Sequence, residues 1–235
     1  MSASRTRRPA PDRAADAALL RGTVLYVHGL WQTGAESFLL RRRLAAQGWR
    51  LRVLPYSSLG ERPEVVARRC AREAKRLAAG TDKPVHLLGH SLGGLILHRV
   101  FDEGLLEPDR FSGDFCRVVF LGSPVAGTRS AQALAAWRFG RRMLGLAGAA
   151  ELLDGRSREW RHAADLGIIA GNWPTGLGRL LTRFDGENDG TVAVAETRLP
   201  GARDHRVLRV NHTGMLIAPE VAREIAHFLE HGRFS

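Results

Sequence analysis

One string limits the architecture of this chain more than any other: Leu87-Leu88-Gly89-His90-Ser91-Leu92-Gly93-Gly94-Leu95. An apolar run ends at Leu88, and an amphipathic helical pattern over Leu95–Glu103 follows at once. A chain that passes from strand to helix this abruptly must turn within three residues. Side-chain bulk two residues before or after the apex would collide with neighbouring backbone, and glycine stands at both places, Gly89 and Gly93. The pattern G-x-S-x-G in this context predicts a sharp strand–turn–helix with Ser91 at its apex, its hydroxyl lifted clear of the backbone. The helix that starts near Leu92 would direct the positive end of its dipole at that hydroxyl, a setting that favours developing negative charge.

The rest of the chain repeats the strand-to-helix rhythm. Apolar runs at Thr23–Val27, Trp49–Leu54, Val85–Leu88, Arg117–Leu121, Leu166–Ala170 and Arg206–Val210 alternate with helical patterns at Ser37–Ala46, Glu61–Ala79 and Glu220–Glu230. Strands this apolar suit a mostly parallel sheet buried on both faces, and strictly alternating β and α means an α/β domain with right-handed crossovers. Thr128–Ala164 breaks the rhythm: it is too long for a crossover and mixes apolar residues with Arg138, Arg141 and Arg142. It reads as inserted helices above the sheet, either a packed excursion or a moving cap. The expected layout is a basic tail over residues 1–21 and one domain over 22–235 with an insertion at about 128–164.

Charge excludes less than it first suggests. There are 35 Lys and Arg against 24 Asp and Glu, and only Lys75 and Lys83 are lysine. The arginines are spread along the chain with no nucleic-acid motif beside them, so no nucleic-acid partner is expected. Contact with an anionic membrane surface is compatible with the same charge. Cys70 and Cys116 do not make a disulfide framework. The tail has no apolar segment after its arginines, which predicts neither a secretory nor a twin-arginine signal and hence a cytoplasmic protein.

A serine hydroxyl is a poor nucleophile near neutral pH unless a base takes its proton and an acid orients that base. Downstream of Ser91, His212 follows the last strand run directly, whereas His205 precedes that run and His227 and His231 belong to the final helix. Asp189 lies in Gly186-Glu187-Asn188-Asp189-Gly190-Thr191-Val192, with Asp185 and Glu187 as neighbouring alternatives. Positions just beyond strand carboxyl ends are where open parallel sheets place their sites. Negative charge built on a carbonyl oxygen would need two backbone N–H donors. Leu92, next after the apex, supplies one; Leu30, in Val27-His28-Gly29-Leu30-Trp31 after the first strand, supplies the other.

Taken together, these residues resemble the α/β-hydrolase superfamily, and within it the bacterial lipase and esterase branch. The resemblance is carried by Val27-His28-Gly29-Leu30, the Gly89–Gly94 string, Gly122-Ser123-Pro124-Val125-Ala126-Gly127-Thr128, Asn188-Asp189-Gly190-Thr191-Val192 and Asn211-His212, and it covers roughly residues 22–231. It implies Ser91 as nucleophile, Asp189 as acid, His212 as base, Leu30 and Leu92 as oxyanion donors, and hydrolysis of a carboxylic ester. Secreted relatives hold calcium near the catalytic histidine through an aspartate shortly after it. Here Thr213, Gly214 and Met215 follow instead, so neither metal nor cofactor is expected. Trp31, Leu134, Trp137, Phe139, Met143 and Leu146 are the expected acyl-pocket residues, the substrate being a small acyl ester or a lipid. An acyltransferase or thioesterase would use the same three side chains, and a non-catalytic lipid- or partner-binding module would use the scaffold alone.

Overall fold

A computed structural model describes residues 20–106, 117–176, 184 and 186–235. Six parallel strands form one sheet: β1 Gly22–Val27, β2 Trp49–Val53, β3 Val85–His90, β4 Val118–Leu121, β5 Leu166–Gly171 and β6 Asp204–Leu208, in spatial order β2-β1-β3-β4-β5-β6. Among the described residues six α-helices accompany them: α1 Phe38–Ala45, α2 Pro63–Ala79, α3 Leu92–Asp102, α4 Arg129–Ala135, α5 Gly140–Leu152 and α6 Pro219–His231. Residues 1–19 of the basic tail and Cys116 lie outside the described residues, while Arg21 at the end of the tail pairs with Glu230. Among the described residues, no helix is long and apolar enough to cross a membrane.

The sheet carries two cores because strand side chains alternate between its faces. Leu25, Val27, Leu87, Phe120 and Ile168 point to one side and pack with α2, α3 and α5. Val24, Tyr26, Leu88, Val119 and Ile169 point to the other and pack with α6. β1, β3, β4 and β5 are buried throughout. That burial on both faces is why their sequences read as continuous apolar runs.

β6 departs from the sequence reading by two residues, starting at Asp204 and ending at Leu208. It is an edge strand, bonded on one side only to β5. Polar Asp204 and His205 are tolerated there, and apolarity alone underestimates its start. Consequently His205 lies inside the strand rather than before it, paired with Ile168, with its Nε2 2.9 Å from Thr197 Oγ1.

The strand order sets where a ligand can enter. The chain runs outward from β1 to β2, then returns to place β3 on the other side of β1. Connections therefore leave β1 and β3 in opposite directions, and a crevice opens between their carboxyl ends. Such switch points are the usual binding sites of open α/β sheets. The two loops that emerge here are His28–Trp31 and the turn at Ser91.

Candidate active site

Ser91 holds a left-handed backbone, with φ +54° and ψ −121°, between the last residue of β3 and the first of α3. A non-glycine residue in that region stores about 1–3 kcal/mol of strain and persists only where its surroundings enforce it. Its N–H donates to Leu121 O of β4 at 2.8 Å, and its carbonyl accepts Gly94 N–H at 3.1 Å. The flanking glycines show why no larger residue fits: a Cβ on Gly93 would lie 2.0 Å from Val27 O, and one on Gly89 would lie 2.5 Å from Gly94 N.

Asp189 is buried, and both its carboxylate oxygens are engaged. Oδ1 accepts the backbone N–H groups of Thr191 and Val192 at 2.9 and 2.7 Å. Oδ2 is 2.7 Å from His212 Nδ1. The backbone repeats the link, His212 N–H donating to Asp189 O at 2.9 Å. Glu187 instead turns outward and accepts a bond from Asn172 at 2.8 Å, while Asp185 lies outside the described residues. The His212 loop is braced by Asn211, whose Nδ2 donates to Thr175 Oγ1 and whose Oδ1 accepts Gly214 N–H. Gly122, with φ +54°, passes beside the pair: a Cβ there would stand 3.1 Å from both Asp189 Oδ2 and His212 Nδ1.

Ser91 and His212 line the same cavity of about 470 Å³. Among the described residues no hydrogen bond joins the Ser91 hydroxyl to the His212 ring. Contacts of this kind are commonly loose until a substrate occupies the site.

The loop after β1 engages the amides on either side of Leu30. Gly29 N–H donates to Gln32 Oε1 at 2.7 Å and Trp31 N–H to Ser58 Oγ at 3.1 Å. Leu30 N–H lies between them with no acceptor among the described residues. Leu92 N–H, the first of α3, is in the same condition, as amides of a first helical turn are. Trp31 takes φ +58° and its indole N–H donates to Met143 O of α5 at 2.8 Å, tying this loop to the inserted helices.

His90, which its place inside the elbow motif marks as a packing residue beside Ser91 rather than a base, connects these parts and is buried. The His90 ring lies tilted beside that of His212, centroids 4.8 Å apart, with Nε2 3.1 Å from His212 O and Nδ1 3.1 Å from Gln32 Oε1. Burial, with a smaller push from His212, lowers its pKa to about 3, so the ring is neutral near neutral pH. Gln32 has no sequence signal of its own; its role appears only once β1 and β3 are adjacent.

Of the residues expected to form the acyl pocket, Trp31 and Leu134 line the cavity, joined by Leu30, Ala131, Leu144, Leu152 and Val192. Trp137, Phe139, Met143 and Leu146 do not: they face outward, 46–63% exposed. α5 turns Leu144 inward, and residues one or two positions away on a helix point elsewhere. Among the described residues no group of histidine, cysteine, aspartate or glutamate could hold a metal ion.

Residues 24–232 match the profile of the alpha/beta hydrolase family. No curated protein is significantly similar to the chain in sequence. Several solved structures share the fold. A lipase of Bacillus licheniformis in its mature form is 18% identical, with a TM-score of 0.71 over 97% of this chain and 95% of that one. A soluble variant of monoglyceride lipase from Saccharomyces cerevisiae is 11% identical, with a TM-score of 0.61 over 90% and 86%. A thioesterase-like protein of Silicibacter is 17% identical, with a TM-score of 0.58 over 90% and 76%. At these identities the likeness is one of fold.

Proposed function

Because this chain belongs to the alpha/beta hydrolase family, we propose that it hydrolyses carboxylic esters of acyl or lipid substrates, using Ser91 as nucleophile, His212 as base and Asp189 as the acid that orients the base. The observation that carries this reading is the 2.7 Å contact between Asp189 Oδ2 and His212 Nδ1, made at the wall of the cavity that Ser91 enters. With Nδ1–H committed to the carboxylate, the neutral imidazole offers only Nε2 as a proton acceptor.

Ser91 Oγ bonds to the substrate carbonyl carbon as its proton passes to His212 Nε2. The N–H groups of Leu30 and Leu92 hold the oxygen that becomes negative, each donor being worth about 3 kcal/mol in the transition state. Collapse breaks the bond to the alcohol, which leaves with the proton from His212. Water then adds to the acyl-enzyme, gives its proton to the same nitrogen, and the acid departs as Ser91 recovers its hydrogen. The apolar wall of Leu134, Leu144 and Leu152 suits an acyl chain, and a cavity near 470 Å³ falls within the usual range for a small-molecule site. We extend the reading to esters presented by an anionic membrane and to a cytoplasmic setting, with no metal or cofactor required.

Ser91→Ala should lower turnover of p-nitrophenyl esters roughly 10³-fold or more and abolish labelling by a fluorophosphonate probe. Undiminished turnover would reject the assignment. Wild-type enzyme that the probe does not label would favour a non-catalytic module. A chain-length series should peak at medium acyl length, and activity confined to acetate esters would count against the acyl wall. Parallel thioester substrates and added alcohol acceptors separate hydrolysis of oxygen esters from thioesterase and acyltransferase chemistry.

A further inference from the structure

The exposed apolar side chains of this protein are not scattered. All eleven large hydrophobic residues that are exposed among the described residues lie in segments that leave the carboxyl ends of strands. Trp31 follows β1, Leu59 follows β2, Phe139 belongs to the excursion after β4, Trp173 follows β5 and Ile217 follows β6. None lies in a segment that leads from α1, α2 or α3 back into a strand. The cavity mouth opens on this same edge, and Trp31 belongs both to the exposed set and to the cavity lining. Single exposed hydrophobes are ordinary, but a concentration at one edge marks a contact surface.

Charge identifies the partner. From Arg129 to Ala150 there are four arginines and no aspartate or glutamate. Arg138, Arg141 and Arg142 are exposed and make no ion pair among the described residues. They alternate with Trp137, Phe139 and Met143, and the Arg138 guanidinium sits 5.3 Å from the centre of the Phe139 ring. Arg41 and Arg42 flank the exposed Phe38 ring in the same way, each at 5.9 Å. Pairing alone does not separate the two edges, since at the other one Arg21 and Arg203 meet Glu230 and Asp165 while the exposed Lys83 and Arg233 make no ion pair among the described residues; what marks this edge is the interleaving of its arginines with exposed rings. Unneutralised arginines interleaved with aromatic and aliphatic side chains match a lipid–water interface, where apolar parts enter the acyl boundary and guanidinium groups meet anionic head groups.

We propose that the edge around the cavity mouth, led by residues 137–146, docks on the surface of an anionic phospholipid bilayer. The inference rests on the proposed function only for the meaning of the cavity; the docking itself needs no catalysis. It also gives a role to the four residues that sequence reading assigned to the pocket and the fold turns outward.

The test is co-sedimentation of the full chain, as the Ser91→Ala variant so that lipid is not consumed, with vesicles of phosphatidylcholine alone or mixed with phosphatidylglycerol. Binding to the mixed vesicles, weak binding to neutral ones, and a decline with added salt are expected. Replacing Arg138, Arg141 and Arg142 together by Gln should weaken binding roughly a hundred-fold, at about five-fold per arginine. The double change Trp137→Ser and Phe139→Ser should weaken it roughly ten-fold or more. The same surface changes placed in the Ser91-containing enzyme should leave hydrolysis of a short soluble ester unchanged, which establishes that they fold. No binding to anionic vesicles, equal binding to neutral ones, or binding indifferent to these changes overturns the proposal. So does self-association in the absence of lipid that the double change abolishes, since the face would then join two copies. Loss of ester hydrolysis in Ser91→Ala, or its persistence, bears on the proposed reaction and not on docking.

Discussion

At the scale of single residues, Asp189 does two jobs with one carboxylate. Oδ1 closes its own loop through Thr191 and Val192, and Oδ2 meets His212. Asp189→Asn keeps the shape but can present an amide N–H to His212 Nδ1, which then has to accept and so moves its proton to Nε2. The ring can no longer take a proton from Ser91. Under the proposed mechanism kcat should fall roughly 10⁴-fold with little change in KM. Asp185→Asn and Glu187→Gln should stay within a few-fold of wild type. If Asp185→Asn is the more damaging change, the acid has been misassigned. Sequence favours Asp189 among the three acids but leaves Asp185 and Glu187 as neighbours, because the direction of a side chain in a polar loop depends on where the loop lands. The elbow was easier to read, because its glycines answer a local collision that the positions of Val27 O and Gly94 N make explicit.

At the scale of elements, the buried strands were legible because both faces demand apolar residues, and β6 was less so because one edge is unpaired. The inserted helices were legible as helices but not in their facing. Their anchoring could not be read at all, since it depends on ionic contacts between distant segments. Glu151 near the end of α5 is buried and takes Arg99 of α3 on one side and Arg158 on the other. Arg158 also reaches Asp154 at 2.6 Å, and Arg99 reaches Glu103 at 2.7 Å. Burial pushes the Glu151 carboxyl up, against the pull of the two arginines. Removing one member of a buried ionic group leaves its partners uncompensated, at about 3–5 kcal/mol for an isolated pair. Because both arginines keep another acid, Glu151→Gln should cost less, about 2–3 kcal/mol. In urea unfolding this appears as a lower midpoint with an unchanged slope. An unchanged midpoint would show that Asp154 and Glu103 satisfy the arginines alone.

At the scale of the whole molecule, the same sheet that creates the crevice also buries two histidines beyond the reach of solvent. His86 on β3 accepts Arg117 N–H on Nδ1 at 3.0 Å and meets Trp49 edge-on at 5.2 Å. Burial first, and the Arg117 charge second, lower its pKa to about 3, the same value as for His90. Both rings are therefore neutral in the folded protein down to strongly acid pH, while in the unfolded chain each takes up a proton near pH 6.5. Below that point the unfolded state binds more protons than the folded one, so stability falls as pH falls; above it the contribution is fully present. Each ring contributes a slope that approaches about 1.4 kcal/mol per pH unit below pH 6.5, or about 3 kcal/mol for the two between pH 6.5 and pH 5. A domain is typically stable by only 5–15 kcal/mol, so this loss should be a measurable part of the whole before most carboxylates titrate. Burial lowers the pKa of His98 and His205 as well, which acts in the same direction. Urea midpoints measured from pH 7 to pH 5 should fall steadily, and His86→Gln, whatever its cost at pH 7, should reduce the slope by up to about half. A wild-type midpoint that stays level over this range would mean that the rings are protonated without unfolding, and that the interior around β3 admits charge more readily than its packing implies.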